Sequence, residues 1–284
     1  MIIVDLSQVT YSTLMVQLGF DTKNVKVEES MLRHMIINCL RSYNMAYKDK
    51  YGEMVIACDS TSWRNEVFPY YKANRKKNRE ESSLDWSQIF GIVNKIKEEL
   101  KEYLPYRVID VNRAEADDIM FTLVKNSDTM DKILILSGDK DFIQLHTYGN
   151  ITQYDPTRKK WITDENPDEY LIEHIAKGDK GDGVPNVLSP DNCLVVGTRQ
   201  GSITAKKLQS YKNFEEMEVL CKNPDFVRNW NRNRQLIDLS YCPANIQENI
   251  INEYKKQNGK DRSKLLSYFM ANKLKLLTEN ISDF

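Results

Sequence analysis

Four short apolar runs punctuate the chain: IIV at Ile2–Val4, MVIAC at Met54–Cys58, YRVI at Tyr106–Ile109 and ILIL at Ile133–Leu136. A run with no polar face has nothing to offer water, so it belongs inside a sheet covered on both sides. Between these runs, Met31–Tyr47, Trp86–Leu104 and Ala114–Asn126 repeat apolar residues at spacings of three and four, as amphipathic helices do. Strands alternating with helices give right-handed βαβ crossovers. The expected class is therefore α/β, with a parallel, doubly wound sheet. The strand signal fades after about Asp168. We expect an α/β core over residues 1–168, with an inserted segment at about 61–85, and a mainly helical unit over 169–284.

Charge and cysteine usage narrow the classes further. The 284 residues carry 40 Lys and Arg against 41 Asp and Glu, so a polyanion must be met by a local basic patch and not by the overall field. Cys39, Cys58, Cys193, Cys221 and Cys242 are scattered without a CxxC pair, which points to reduced thiols in a cytosolic protein and away from a disulfide framework or zinc site. His34, His146 and His174 show no ligand spacing and read as structural or surface residues. Met1 leads directly into a strand and no long apolar stretch follows, so we expect neither a signal peptide nor a membrane span.

The acids fall where open α/β sheets bind ligands, beyond the carboxyl ends of the strands. Asp5 follows the first run, Asp59 the second, and Asp139 and Asp141 the fourth; Glu115, Asp117 and Asp118 open the helix after the third. Any one of them reads equally well as a turn residue or helix cap. Four strands delivering acids to one rim is another matter, because crowded carboxylates repel and lose hydration. Divalent cations would offset that charge, and oxygen ligands suit Mg²⁺ or Mn²⁺. A second motif, GDKGDGVPN at Gly178–Asn186, sets Asp179 and Asp182 among glycines. It reads either as a surface turn or as a tight turn whose amides, around Gly181 and Gly183, meet a phosphate while its acids reach a metal.

The segment RNEVFPYYKANRKKNR is the basic counterpart. Arg64, Lys72, Arg75, Lys76, Lys77 and Arg79 stand against Glu66 alone, interleaved with Phe68, Tyr70 and Tyr71. The charges by themselves would fit a solvated helix face. Mixed with rings, they fit a groove for single-stranded nucleic acid, with Arg64, Lys76, Lys77 and Arg79 on backbone phosphates. Lys72 and Arg75, three residues apart, would share a helical face leaning over the acids.

These motifs together resemble the flap endonuclease / 5′-nuclease family, nearest to the ribonuclease H type 5′-nucleases of tailed phages related to the T-even group. They are IVDLSQ with Asp5, ACDS with Asp59, AEADD with Glu115, Asp117 and Asp118, SGDKDF with Asp139 and Asp141, YYKANR, and GDKGDG with Asp179 and Asp182. The resemblance spans essentially the whole chain. It implies a divalent-metal-dependent, structure-specific 5′-nuclease with 5′-3′ exonuclease, ribonuclease H and flap endonuclease activity. Such an enzyme removes RNA primers and short DNA from duplex 5′ ends and cuts 5′ flaps during phage DNA replication, in the cytoplasm of an infected bacterium. It implies two Mg²⁺ ions, with Mn²⁺ as a substitute. Asp5, Asp59, Glu115, Asp117 and Asp139 would hold the first, and Asp141, Asp179 and Asp182 the second, with Asp118 behind them. Lys72 and Arg75 would meet the scissile phosphate, and Tyr71 would stack on the terminal base. Implied partners are DNA and RNA–DNA duplexes with a 5′ end or flap, a phage single-strand-binding protein and a sliding clamp; the chain itself would be a monomer.

The resemblance also implies a helix–three-turn–helix DNA grip within 169–284. Here the chain departs from the family: Gly183 replaces an Asn, Asn186 replaces a Gly, and the insert VLSPDNCLVV lengthens the segment. The grip carries over, but a monovalent-ion site in that loop does not carry over with it. An N-terminal clamp-binding extension is expected to be absent. Two other readings share some of these features. A PIN-type ribonuclease has the acidic α/β core but usually lacks the basic arch and the GDKGDG loop. A non-catalytic structure-specific DNA-binding protein would show degenerate acids, whereas this set is complete.

Overall fold

The computed structural model describes residues 1–19, 27–82, 84–211 and 223–284, apart from the side chains of 76–78. Six strands form one sheet in the order β3-β2-β1-β4-β5-β6. They are β1 Ile2–Asp5, β2 Met54–Ala57, β3 Arg107–Ile109, β4 Ile133–Leu136, β5 Ile151–Asp155 and β6 Lys160–Ile162. β1 to β5 run parallel and β6 pairs antiparallel with β5. The four apolar runs are β1 to β4, with β3 at one edge of the sheet, and the sheet is doubly wound. β5 and β6 add to the expected sheet. ITQYD and KWI mix polar with apolar residues because this edge is only partly covered.

The helices are α1 Leu6–Leu18, α2 Glu29–Tyr51, a single turn α3 Arg64–Val67, α4 Ala73–Glu80, α5 Trp86–Tyr103, α6 Ala116–Lys125 and α7 Pro167–Lys177. After them come α8 Cys193–Val196, α9 Ala205–Ser210, α10 Pro224–Ile237, α11 Ala244–Lys256, α12 Leu265–Ala271 and α13 Lys275–Glu279. A 3₁₀ segment, Lys140–Tyr148, leads from β4 towards β5. No described helix is long and apolar enough to cross a membrane.

Side chains of β1 alternate between two cores. Ile2 and Val4 pack with α1, α2, α5, α12 and α13, whereas Ile3 packs with α6, α11 and the 3₁₀ segment. Each fully buried Ile or Leu contributes about 2 kcal/mol, and a one-residue slip would exchange the two faces, so the register is firmly set. α1, α2 and α5 carry the chain from β1 to β2 and then β3 on one face. α6 returns it to β4 on the other. The winding therefore reverses between β1 and β4, the place where an open α/β sheet leaves a crevice.

The helices after residue 168 divide between two tasks. α11, α12 and α13 pack back onto the sheet, one core on each face. α7 and α10 instead form a third core around Phe226 and Trp230, which also takes in Phe68 and Tyr71 from the base of the basic segment. The root of that segment is thus fastened beside the crevice.

Candidate active site

Beyond the carboxyl ends of β1, β2 and β4 lies a cleft of about 580 Å³, lined by Asp5, Asp59, Asp117, Asp139, Asp141, Asp179 and Asp182. Backbone geometry places each acid. Asp5 ends β1 and caps α1, accepting from the Gln8 amide at 3.1 Å. Asp59 accepts from the Ala116 amide at 2.9 Å and from the Ser7 hydroxyl. Asp117 stands in the first turn of α6. Asp139 caps the 3₁₀ segment and accepts from the Asp141 amide at 3.0 Å. Asp179 accepts from the amides of Gly181 and Asp182 at 2.7 and 3.1 Å. The glycine turn therefore closes on itself: the Gly181 amide, expected at a phosphate, is taken by Asp179, and that of Gly183 faces the Lys180 carbonyl at 3.3 Å. Gly183 has a φ of +75°, and a Cβ there would lie 2.7 Å from the Tyr70 carbonyl oxygen. Only glycine lets the turn press so closely against the basic segment.

Burial and crowding govern the ionisation of this set. Burial, and after it the charge of Asp59, pushes Asp5 up to about 7. Burial and the charge of Asp139 push Asp141 up to about 7 as well. The same two causes raise Asp117 well above the ordinary carboxylate range, and burial raises Asp139. Asp179 moves the other way, because its bonds to His174 and to two amides outweigh its burial. Carboxylates that resist ionisation through burial first and crowding second, and that turn their oxygens into one cleft, fit hard divalent cations.

The basic segment meets the cleft through fewer residues than its charge pattern promises. Arg64, expected on nucleic acid, is 1 % exposed. Its guanidinium pairs with Glu115 and Asp118, each at 3.0 Å, and its Nε donates to the Leu236 carbonyl at 2.8 Å. It is a core cation because the two acids opening α6 need a partner where water does not reach. Asp118 is fully buried behind the cleft, accepting from the Glu115 amide at 2.9 Å and the Trp63 indole at 3.2 Å. Glu115, expected on the first metal, is 4 % exposed and engaged by the chain itself. Ser62 donates to it at 2.6 Å, the Tyr71 hydroxyl at 3.0 Å, and Lys72 and Arg64 pair with it. Against its burial, Lys72 and Arg64 hold its carboxyl down to about 2.

Tyr71 is likewise displaced from its expected role. It is 5 % exposed, and its hydroxyl shares itself between Glu115 and, at 2.9 Å, Asp182, so the ring is packed and not offered to a base. Lys72 has a φ of +54° ahead of α4, so it does not share a helical face with Arg75. The two still converge: Lys72 lies on Glu115 and 3.4 Å from Asp182, and Arg75 pairs with Asp182 at 2.5 Å. Arg79 is exposed and lies 5.4 Å from the Phe90 ring. Lys76 and Lys77 are on α4, but their side chains lie outside the described residues. His174, read as a bland histidine, instead sits between Asp141 and Asp179 at 3.3 and 3.6 Å. The missed signal is the Gly178 stop, which turns the chain back so that Asp179 meets the last turn of its own helix.

Residues 1–173 match the family described as 5′-3′ exonuclease, N-terminal resolvase-like domain. The chain belongs to the 5′-3′ exonuclease family. Residues 166–284 match a second description, T4 RNase H, C terminal. Ribonuclease H of Enterobacteria phage T4 is 37 % identical over 293 aligned residues, covering 99 % of this chain and 95 % of that protein. Among solved structures, the bacteriophage T5 5′-exonuclease with bound divalent metal ions (zinc) covers 92 % of this chain and 98 % of its own, at TM-score 0.61 and 18 % identity. The T5 D15 flap endonuclease in complex with DNA and metal ions covers 90 % and 98 %, at TM-score 0.60 and 16 % identity. At those identities the likeness is one of fold.

Neutral amides hold the frame of this exonuclease-family cleft. Gln153 donates to the Ser137 and Asp139 carbonyls at 2.9 and 2.6 Å, and Gln144 to those of Asp141 and Ile237 at 2.8 and 3.2 Å. Asn233 joins α7 to the glycine turn, reaching the Ile175 and Pro185 carbonyls at 2.8 Å each. Asn186, where the family pattern carries Gly, clasps the lengthened loop. It donates to the Gly201 carbonyl at 2.7 Å and accepts from the Ser189 hydroxyl at 2.7 Å and the Leu188 amide at 3.1 Å. Asn186 stood out in the sequence only as a departure from the family pattern; Gln144, Gln153 and Asn233 did not, because each reaches at least one backbone carbonyl far from it along the chain.

Proposed function

We propose that this protein is a Mg²⁺-dependent, structure-specific 5′-nuclease that hydrolyses phosphodiesters at the 5′ ends and 5′ flaps of DNA and RNA–DNA duplexes. The observation that carries the reading is the convergence of seven carboxylates at the switch point of the sheet, with Lys72 and Arg75 reaching the same cleft. Asp5, Asp59, Asp117 and Asp139 would hold one cation, and Asp141, Asp179 and Asp182 a second. Divalent cations bound there supply the positive charge that favours deprotonated water and offsets charge on the leaving oxygen. The names of the T4 and T5 relatives, with their ribonuclease H, flap endonuclease, DNA and metal ions, support the same reading.

The chain's own groups do the positioning. Arg64, Ser62 and Tyr71 hold Glu115 in place at the start of α6, which orients Asp117 in the first turn towards the cleft. Lys72 and Arg75 stand at the mouth on Glu115 and Asp182 and would exchange those carboxylates for oxygens of an incoming phosphate. The left-handed backbone at Lys72 is secured by its amide, which donates to the Asp182 carbonyl at 2.7 Å. Such a conformation is held only where the surroundings over-determine it.

Labelled nicked, 5′-flapped and RNA-primed duplexes test the proposal directly. Cleavage is expected with Mg²⁺ and none with a chelator. Cleavage that ignores the chelator, or no cleavage with either Mg²⁺ or Mn²⁺, would overturn it. Lys72→Ala and Arg75→Ala are each expected to slow single-turnover cleavage at saturating DNA by roughly 10²-fold, as for a lost donor to the transition state. Arg79→Ala should weaken binding and flatten its salt dependence by about one unit while leaving that rate alone. Equal losses of affinity with unchanged rates in all three variants would remove any distinction between them.

A further inference from the structure

His174 lines a hollow that adjoins the cleft and shares Asp139, Asp141 and Asp179 with it, a place that the acidic motifs do not explain. It lies in the last turn of α7, and the helix ends at Gly178, whose amide donates to the His174 carbonyl at 2.8 Å. The side chain is 15 % exposed, and its two nitrogens face different acids. Nδ1 is 3.3 Å from Asp141 Oδ1, and Nε2 is 3.6 Å from Asp179 Oδ2. Tyr170 meets the imidazole edge-on, with ring centres 5.9 Å apart. Asp141, His174 and Asp179 each offer one ligand atom, all within 4.8 Å of one another. They arrive from three segments: the start of the 3₁₀ segment, the end of α7 and the glycine turn.

Resting on the proposed reading of the cleft, we propose that His174 gives a nitrogen ligand to the cation held by Asp141 and Asp179, so that this end of the cleft favours transition-series ions such as Mn²⁺ and Co²⁺ over Mg²⁺. The opposite end, with Asp5, Asp59 and Asp117, offers oxygen alone and favours Mg²⁺. The two ends thus differ in chemistry, because Mg²⁺ takes hard oxygen ligands and sheds water reluctantly, whereas imidazole suits later divalent ions. The flanking acids fit this role. When one ring nitrogen binds a cation, the other N–H remains beside a carboxylate, which fixes the tautomer and the ring plane. A histidine placed only to neutralise Asp141 and Asp179 would carry no such preference between ions.

The test is direct binding to the full chain after chelator treatment, by calorimetry with Mg²⁺, Mn²⁺ and Co²⁺ and by the visible absorption of bound Co²⁺. His174→Gln should weaken Mn²⁺ and Co²⁺ binding by about 10-fold or more, the scale of a lost or misoriented ligand. It should change Mg²⁺ binding by less than about threefold, since a Mg²⁺ site relies on oxygen ligands. The Co²⁺ absorption should shift as nitrogen leaves the ligand set. A His174→Gln protein with unaltered Mn²⁺ and Co²⁺ affinities and an unaltered Co²⁺ spectrum would overturn the inference while leaving the nuclease reading intact. Failure of every divalent ion to bind the unsubstituted protein would overturn both.

Discussion

Arg64→Ala is expected to cost about 3–5 kcal/mol of folding stability, the scale on which removing one partner of a buried ion pair is felt. Arg64 is 1 % exposed, Glu115 4 % and Asp118 0 %, so its loss leaves two acids without their shared cation where water does not reach. Lys72 remains on Glu115, but Asp118 keeps neutral partners, among them the Trp63 indole and the Glu115 amide. Arg64→Lys should not rescue, because one ammonium cannot replace a planar fork that reaches two carboxylates and the Leu236 carbonyl. The effect has a pH signature. The Glu115 carboxyl is held at about 2 in the fold against an ordinary 4.5, so its contribution is present above 4.5 and is lost as pH falls through 2. The gap between variant and parent should narrow towards pH 3. Denaturant unfolding in chelator at pH 7 and pH 3 measures both points. A variant that unfolds with its parent, yet binds DNA poorly, would return Arg64 to the surface role its neighbours in the sequence imply.

Asp5→Asn and Asp141→Asn should lose cleavage, by ~10³-fold or more if each carboxylate positions transition-state charge, and yet gain stability in chelator at alkaline pH. The fold raises both carboxyls to about 7 from an ordinary 3.8, chiefly through burial. A group raised in the fold contributes its stability below the ordinary value and loses it as pH rises through the raised one. Without bound cations the parent should therefore weaken as pH rises from about 4 to 7 and stay at that lower level above it. A tenfold change in proton affinity is worth about 1.4 kcal/mol, and because these groups interact, the cost is on the order of 2–4 kcal/mol for either one. Asparagine has no charge to impose, so the variants should flatten that profile, as expected where function is kept at the expense of stability. Thermal unfolding across this range, alongside a cleavage assay, decides the matter. Variants less stable than the parent at pH 8.5 would mean that the crowding of these carboxylates is relieved by other means.

The legible parts of the molecule were those set by local pattern. Ile2–Val4, Met54–Cys58 and Ile133–Leu136 marked strand ends, and a strand end is enough to put Asp5, Asp59 and Asp139 on one rim. β5 escaped because Thr152, Gln153 and Asp155 interrupt its apolar residues. The helix over Leu6–Leu18 escaped because Thr10 and Thr13 share its buried face with Leu6, Val9 and Leu14. Charge pattern could not distinguish Arg64 from Arg79. One is drawn into the core by Glu115 and Asp118, acids some fifty residues away, and the other stays at the surface beside Phe90. The roles expected for Tyr71 and His174 had the same weakness, since burial against α10 and the approach of Asp141 are tertiary events.

The amide bridges around the cleft hold part of its frame with groups that carry no charge. Gln153, Gln144 and Asn233 tie together the segments bearing Asp139, Asp141 and the glycine turn, and an amide neither gains nor loses a proton across the range in which those acids titrate. Salt screens ion pairs at the surface far more than it weakens these buried bonds. At the Asp139, Asp141 and glycine-turn side, the frame of the cleft and the charge inside it therefore rest on different groups, so that proton uptake, ionic strength and cation exchange act first on the carboxylates and not on the bonds that place them.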